Sequence, residues 1–181
     1  MRAGRARTRL SAVFLDRDGV INRKVPEGEY VTSWAEFEFL PGALEGLALL
    51  AEAPLKVIIA TNQRGIARGR MTEEDLADIH RRMLAAVAES GGRIDAIYHC
   101  PHEAGCACRK PGTGMFEAAA SEFDLRLDET AVVGDSPSDM EAVSRIGAVG
   151  VLVAAGERER PGPDYVAPDL ADAVRWLLDE R

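Results

Sequence analysis

Short apolar runs rich in β-branched residues recur along the chain, separated by longer stretches whose apolar positions return every three or four residues. The runs Ala12–Asp16 (AVFLD), Leu55–Thr61 (LKVIIAT), Ala96–Cys100 (AIYHC), Thr130–Asp135 (TAVVGD) and Gly150–Val153 (GVLV) read as strands. A helix is predicted over Pro41–Ala53, where Pro41 suits a helix start. A second begins at Thr72, with Asp75 three residues on as a near capping box. Leu76, Ile79, Met83, Leu84 and Val87 recur at helical spacing, and Gly91–Gly92 ends it. Gly114–Phe123, Ser138–Ile146 (stopped by Gly147) and Pro168–Glu180 complete the predicted helices.

Strands that are apolar almost throughout and alternate with helices indicate an α/β fold: a Rossmann-like, doubly wound parallel sheet with helices on both faces. In such sheets ligands bind beyond the carboxyl ends of the strands. That is where this sequence places Asp16, Thr61, Asn62 and Asp135. A single polar strand end is a common turn or cap; three strands ending this way point to a site.

The bulk numbers fit one domain and narrow the chemistry. The chain has 181 residues, enough for a single full core. The basic leader, residues 1–10, reads as a disordered tail, followed by one domain over 11–181. A net charge of −8 argues against nucleic acid as a partner. No apolar run approaches the ~20 residues of a membrane span, and no signal-peptide segment follows the leader. Three cysteines crowded into one window do not suggest a disulfide framework, and the expected location is the cytoplasm. Monomer is the default expectation for assembly.

The stretch "VFLDRDGVIN" delivers Asp16 and Asp18 straight after a buried strand. Burying unpaired carboxylates is expensive, so either the pair sits in solvent or a cation sits between them. Extended-chain periodicity puts both on one side. Two such carboxylates suit Mg²⁺, which takes few protein oxygens and keeps room for a phosphate. Asp135 would complete the set. Asp16, first off the strand, is the better placed nucleophile, and Asp18, on the turn freed by Gly19, the better placed general acid and base. Phosphoryl transfer also needs donors on the equatorial oxygens, a role that suits Thr61 and Lys110. Asp139 could hold Lys110 or support the metal's outer shell.

The segments "FLDRDGVIN", "ATNQRGIARG", "CRKPG" and "VGDSPSDM" resemble, in order, the four motifs of the haloacid dehalogenase superfamily of phosphatases, over about Val13 to Gly150. The resemblance implies a phosphoaspartyl nucleophile at Asp16 and an acid/base at Asp18. It implies phosphoryl binding by Thr61 and Lys110. It also implies Mg²⁺ held by the Asp16 and Asp135 side chains and the Asp18 main-chain carbonyl. Neither interval between motifs holds a cap domain, so the capless type is implied, walled by a flap (residues 23–37), the loop after Thr61 and the loop before Lys110.

That last loop carries Cys100, His102, Cys106 and Cys108. Three thiolates and one imidazole suit tetrahedral Zn²⁺, and a full set of protein ligands makes the site structural. The insert resembles that of the zinc-containing subgroup holding heptose bisphosphate 7-phosphatases and histidinol-phosphate phosphatases. It departs in its short link between the ligand pairs and in Arg64, where a small residue is more usual. A sugar bisphosphate needs a second anion site, for which Arg64, Arg68 and Arg109 are candidates, and Asn62 and Gln63, in the loop after Thr61, are further candidates for binding phosphate or substrate. The expected function is hydrolysis of the 7-phosphate of a heptose 1,7-bisphosphate. Histidinol phosphate is the alternative, since Glu27, Glu29, Tyr30 and Trp34 could receive its amine and imidazole. A zinc-stabilised interaction module with a dead active site is a distant one.

Overall fold

The computed structural model describes residues 10–154 and 162–179. Six parallel strands form one sheet: β1 (Ala12–Leu15), β2 (Lys56–Asn62), β3 (Ala96–Cys100), β4 (Thr130–Gly134), β5 (Val149–Val153) and β6 (Tyr165–Ala167). Their spatial order is β3-β2-β1-β4-β5-β6. The helices are α1 (Ala43–Ala51), α2 (Glu73–Glu89), α3 (Gly114–Phe123), α4 (Pro137–Ile146) and α5 (Leu170–Asp179). No helix among the described residues is long and apolar enough to cross a membrane.

Alternation along the strands divides the interior in two. Val13 and Leu15 face a core with Leu47, Leu50, Ile79, Met83, Val174 and Leu177, so α1, α2 and α5 cover one side. Ala12 and Phe14 face the other core, with Phe116, Ala119, Ala142 and Val143 from α3 and α4. Phe14 and Phe116 meet edge to face at 5.0 Å, a pairing worth about 0.5–1.5 kcal/mol beyond its area. Both faces are therefore dry, which is why the strands read as continuous apolar runs.

The strand order sets the site. β1 pairs with β2 on one side and β4 on the other. The chain winds outward from this centre in both directions, so the connections leaving β1 and β4 diverge at their carboxyl ends and open a crevice there. Asp16 follows β1 and Asp135 follows β4.

Several boundaries differ from the expectation. Residues 1–9 of the expected tail lie outside the described residues, whereas Leu10 packs into the core at 8 % exposed. Pro41 does not start α1: Gly42 is its N-cap, in the left-handed region at φ 77°. The Thr72–Asp75 capping box forms as the pattern predicts. β6 has no counterpart among the predicted strands, because three residues before a proline carry too little periodicity to register.

Candidate active site

β1 ends at Leu15 and hands Asp16 to the crevice with its backbone still paired: Asp16 N donates to the Val133 carbonyl at 2.9 Å. Its Oδ1 accepts from the Arg17 amide at 2.8 Å and lies 3.2 Å from Lys110 Nζ. No hydrogen bond among the described residues falls on Oδ2, which leaves that oxygen directed at the crevice. Lys110 is itself buried and held by Asp139 Oδ1 at 2.6 Å. Asp139 does two jobs at once. Its Oδ2 accepts the amides of Asp135 (3.2 Å) and Ser136 (3.1 Å), capping α4 where Pro137 begins it. Gly134 allows this approach, since a Cβ there would stand 2.3 Å from the Asp139 Cβ.

The charge balance here is unusual. The carboxylates of Asp16, Asp135 and Asp139 each have an oxygen within 4.8 Å of the others. Burial pushes the Asp16 carboxyl up to about 7; Lys110 pulls against it, while Asp139, Asp18 and Asp135 add repulsion. Burial likewise raises Asp135, partly offset by Lys24, whose Nζ meets its Oδ2 at 2.6 Å. Burial opposes ionisation of Asp139 too, but Lys110 wins and holds its carboxyl below the usual value. Asp135 Oδ1 is buried without a partner. An orphaned carboxylate oxygen beside a crowd of like charges is what a hard divalent cation with oxygen preference satisfies. The residues present fit Mg²⁺.

One expectation needs correcting. The Asp18 carboxylate does not sit beside that of Asp16 around a common cation. It accepts from Arg17 (3.0 and 3.2 Å), Asn22 (3.0 Å) and Gln63 (2.8 Å). The reason is local. The strand stops at Leu15, so two-residue alternation no longer applies. Gly19 then turns the chain at φ 91°, where a Cβ would lie 2.3 Å from Asp135 Oδ2. Burial raises the Asp18 carboxyl, but the Arg17 charge and these hydrogen bonds outweigh it and leave it lowered.

Thr61 is fully buried at the end of β2, and its Oγ1 accepts from Gln63 Nε2 at 3.0 Å. Its own proton is thereby left to donate. Asn62 faces Lys110 rather than the crevice: its amide accepts from Lys110 N (3.0 Å) and donates to Lys110 O (3.2 Å). Gln63 bridges Thr61 and Asp18. Both are thus committed to holding other site residues. Of the three arginines, Arg68 pairs with Glu103 and Tyr30, and Arg64 lies 3.9 Å from Glu27. Arg109 alone of the three has a buried Nη without a partner.

Cys100, at the end of β3, faces His102, Cys106 and Cys108, and the four ligand atoms lie within 4.8 Å of one another. The Cys108 Sγ is 2.8 Å from that of Cys100 and 3.2 Å from His102 Nδ1. Four soft donors converging on one point fit tetrahedral Zn²⁺. The Arg109 amide pulls the Cys106 thiol down to about 6, while burial pushes Cys100 up to about 12. Metal binding here must therefore displace a proton from Cys100.

Arg17, Asn22, Lys24 and His80 were not anticipated from the sequence. Lys24 and Asn22 carry no local signal. Arg17 does carry one, as a charge in a buried strand exit.

A family model described as HAD-hydrolase-like matches residues 107–173. The chain is 40% identical over 177 residues to a D-glycero-beta-D-manno-heptose-1,7-bisphosphate 7-phosphatase of Pseudomonas putida, covering 93% of this chain and 100% of that one. It is 42% identical over 151 residues to the D-glycero-alpha-D-manno-heptose-1,7-bisphosphate 7-phosphatase of Campylobacter jejuni, covering 83% and 86%. Among solved structures, the D,D-heptose 1,7-bisphosphate phosphatase from B. bronchiseptica, complexed with magnesium and phosphate, superposes with a TM-score of 0.87 at 39% identity. That match covers 95% of this chain and 100% of that one.

Proposed function

The chain belongs to the haloacid dehalogenase-like hydrolases, and from that premise we propose that it is a magnesium-dependent phosphatase that removes the 7-phosphate of a D-glycero-D-manno-heptose 1,7-bisphosphate. The observation that carries the chemistry is the Asp16–Lys110–Asp139 chain at the crevice of the sheet. It presents one carboxylate oxygen to a phosphate while a buried ammonium stands beside it.

Asp16, through Oδ2, attacks phosphorus in line with the departing sugar oxygen. The new O–P bond forms as the old one breaks, and Asp18 in its protonated form, the minority form that its lowered pKa makes the stronger acid, delivers a proton to the sugar oxygen. A water then attacks the phosphoaspartate, Asp18 takes its proton, and inorganic phosphate leaves with Asp16 restored. Lys110 Nζ and the Thr61 hydroxyl donate to the equatorial oxygens as their charge grows. Asp16 and Asp135, with the Asp18 main-chain carbonyl, would hold the Mg²⁺, whose charge draws a phosphate dianion against a carboxylate that would otherwise repel it.

The second phosphate supports the choice of substrate. Arg109 precedes Lys110 and has a buried, unpartnered Nη, the natural receptor for a distal phosphate. Histidinol phosphate has less support: Trp34 stacks on Phe37 at 4.9 Å, Tyr30 is bonded by Arg68, and Glu27 faces Arg64. Phosphate release from both heptose bisphosphate anomers and from histidinol phosphate, with Mg²⁺, tests the reading. One heptose anomer should be preferred over histidinol phosphate by about 100-fold or more in kcat/KM. Asp16→Asn should lose about 10³-fold or more. Equal use of histidinol phosphate would overturn the substrate. Full activity in Asp16→Asn would overturn the mechanism, and absence of turnover on all three substrates would favour the inactive module.

A further inference from the structure

Arg17 stands between Asp16 and Asp18 in the chain, and the reaction above gives it no part. It is nonetheless wholly buried. One of its Nη nitrogens donates to both carboxylate oxygens of Asp18, at 3.0 and 3.2 Å. The other meets His80 Nε2, from α2, at 3.3 Å. The Phe37 ring lies 6.0 Å from the guanidinium carbon, within cation–π range. Phe37 in turn packs between Trp34 and Phe39, the aromatic cluster that anchors the flap.

The hydrogen-bond inventory fixes the roles. A guanidinium only donates, so His80 must accept through Nε2 and keep its proton on Nδ1. Burial, helped by the Arg17 charge, pushes the His80 imidazole down to about 3, so it stays neutral and able to accept. A buried charge costs several kcal/mol, and apolar residues of similar volume often serve stability as well or better. What an apolar residue cannot supply is a charged donor held against both oxygens of a carboxylate.

We propose that Arg17 and His80 are positioning residues: His80 fixes the guanidinium of Arg17, and Arg17 fixes the carboxyl group of Asp18 toward the leaving oxygen of the substrate. The proposal rests on the reading of Asp18 as the leaving-group acid. It extends the site to α2, on the far side of the first core.

The test exploits the leaving group. A sugar alkoxide needs a proton to depart, whereas p-nitrophenolate departs without one. Steady-state kinetics with Mg²⁺ are measured on the full chain with heptose 1,7-bisphosphate and with p-nitrophenyl phosphate, for Asp18→Asn, Arg17→Met, His80→Leu and His80→Gln. Because Asp18 also serves the water step common to both substrates, the readout is kcat/KM, which covers only the steps through departure of the leaving group. Arg17→Met and His80→Leu should lower kcat/KM on the sugar by about tenfold or more. The aryl phosphate should lose at most about twofold in kcat/KM. His80→Gln, which keeps an acceptor oxygen, should recover most of the lost kcat/KM. If Arg17→Met does not fold, the His80 pair carries the test. Equal losses on both substrates, no loss on either, or no recovery in His80→Gln would overturn the proposal while Asp18→Asn still discriminates between the substrates. If Asp18→Asn itself fails to discriminate, the acid reading of Asp18 falls and the proposal with it.

Discussion

Arg109 and His80 show how much a single side chain's surroundings decide. Arg109 follows Cys108 directly, and one of its Nη groups is buried without a protein partner. Removing a charge-assisted contact to the distal phosphate should raise KM about tenfold or more for a heptose 1,7-bisphosphate. The same Arg109→Ala change should leave KM for the 7-monophosphate nearly unchanged, and comparing the two substrates checks this. His80 has a signature in pH. It stays neutral in the folded chain down to about 3, against an ordinary value of 6.5. Between these values the unfolded chain binds the extra proton. The native state therefore loses stability as pH falls from 6.5 towards 3, and is free of this penalty above 6.5. His80→Gln removes it. Relative to the native chain, the variant should gain up to about 1.4 kcal/mol per pH unit on acidification through that window. Urea midpoints at pH 7 and pH 5 measure the difference. Asp16, Asp18, Thr61, Lys110 and Asp135 were all legible as site candidates, because strand ends and short motifs are local. Arg17 and His80 were not, because 63 residues separate them and only the packing of α2 over the sheet brings them together.

At the scale of elements, the turn after β1 and the loop after β3 matter most. Gly19 holds φ 91° with Asp135 Oδ2 where its Cβ would be. Gly19→Ala should destabilise by more than about 1 kcal/mol. It should also lower kcat far more than Gly91→Ala, which shares a left-handed φ (80°) but has nothing within 4 Å and lies at the end of α2; denaturant midpoints and kinetics of the pair check both parts. The loop after β3 turns Cys100, His102, Cys106 and Cys108 inward and delivers Lys110 two residues later, where Asn62 grips its backbone. Zinc spacing was readable in the sequence because its ligands are close in the chain. The grip of Asn62 was not, because it depends on the β2–β3 register that sets Asn62 opposite Cys100. Asn62 and Gln63 consequently stand as supports for Lys110 and for Asp18 with Thr61, rather than as groups facing the substrate.

For the molecule as a whole, the two metals have separable consequences. The zinc cluster closes the loop that carries Arg109 and Lys110 and touches the second core through Cys106 and Cys108. Verified removal of zinc should lower the melting temperature by at least about 5 °C and reduce kcat together, since closed zinc sites couple binding to folding. Calorimetry and kinetics on the same sample check it. Withdrawal of magnesium alone should abolish turnover and lower the melting temperature by less than zinc removal does, because a cation bound only by the folded chain stabilises it while its ligands lie at the rim of the sheet rather than within either core.

The sequence by itself determined the alternating α/β class, the polar strand ends and the zinc ligands, because each is written in short-range periodicity or spacing. The sheet order, the turn of Asp18 away from Asp16 toward Arg17, and the isolation of Arg109 among three arginines were decided by the tertiary structure. These depend on which strand lies beside which and on which charges find partners, and contacts between distant parts of the chain form only when both faces of the sheet are packed.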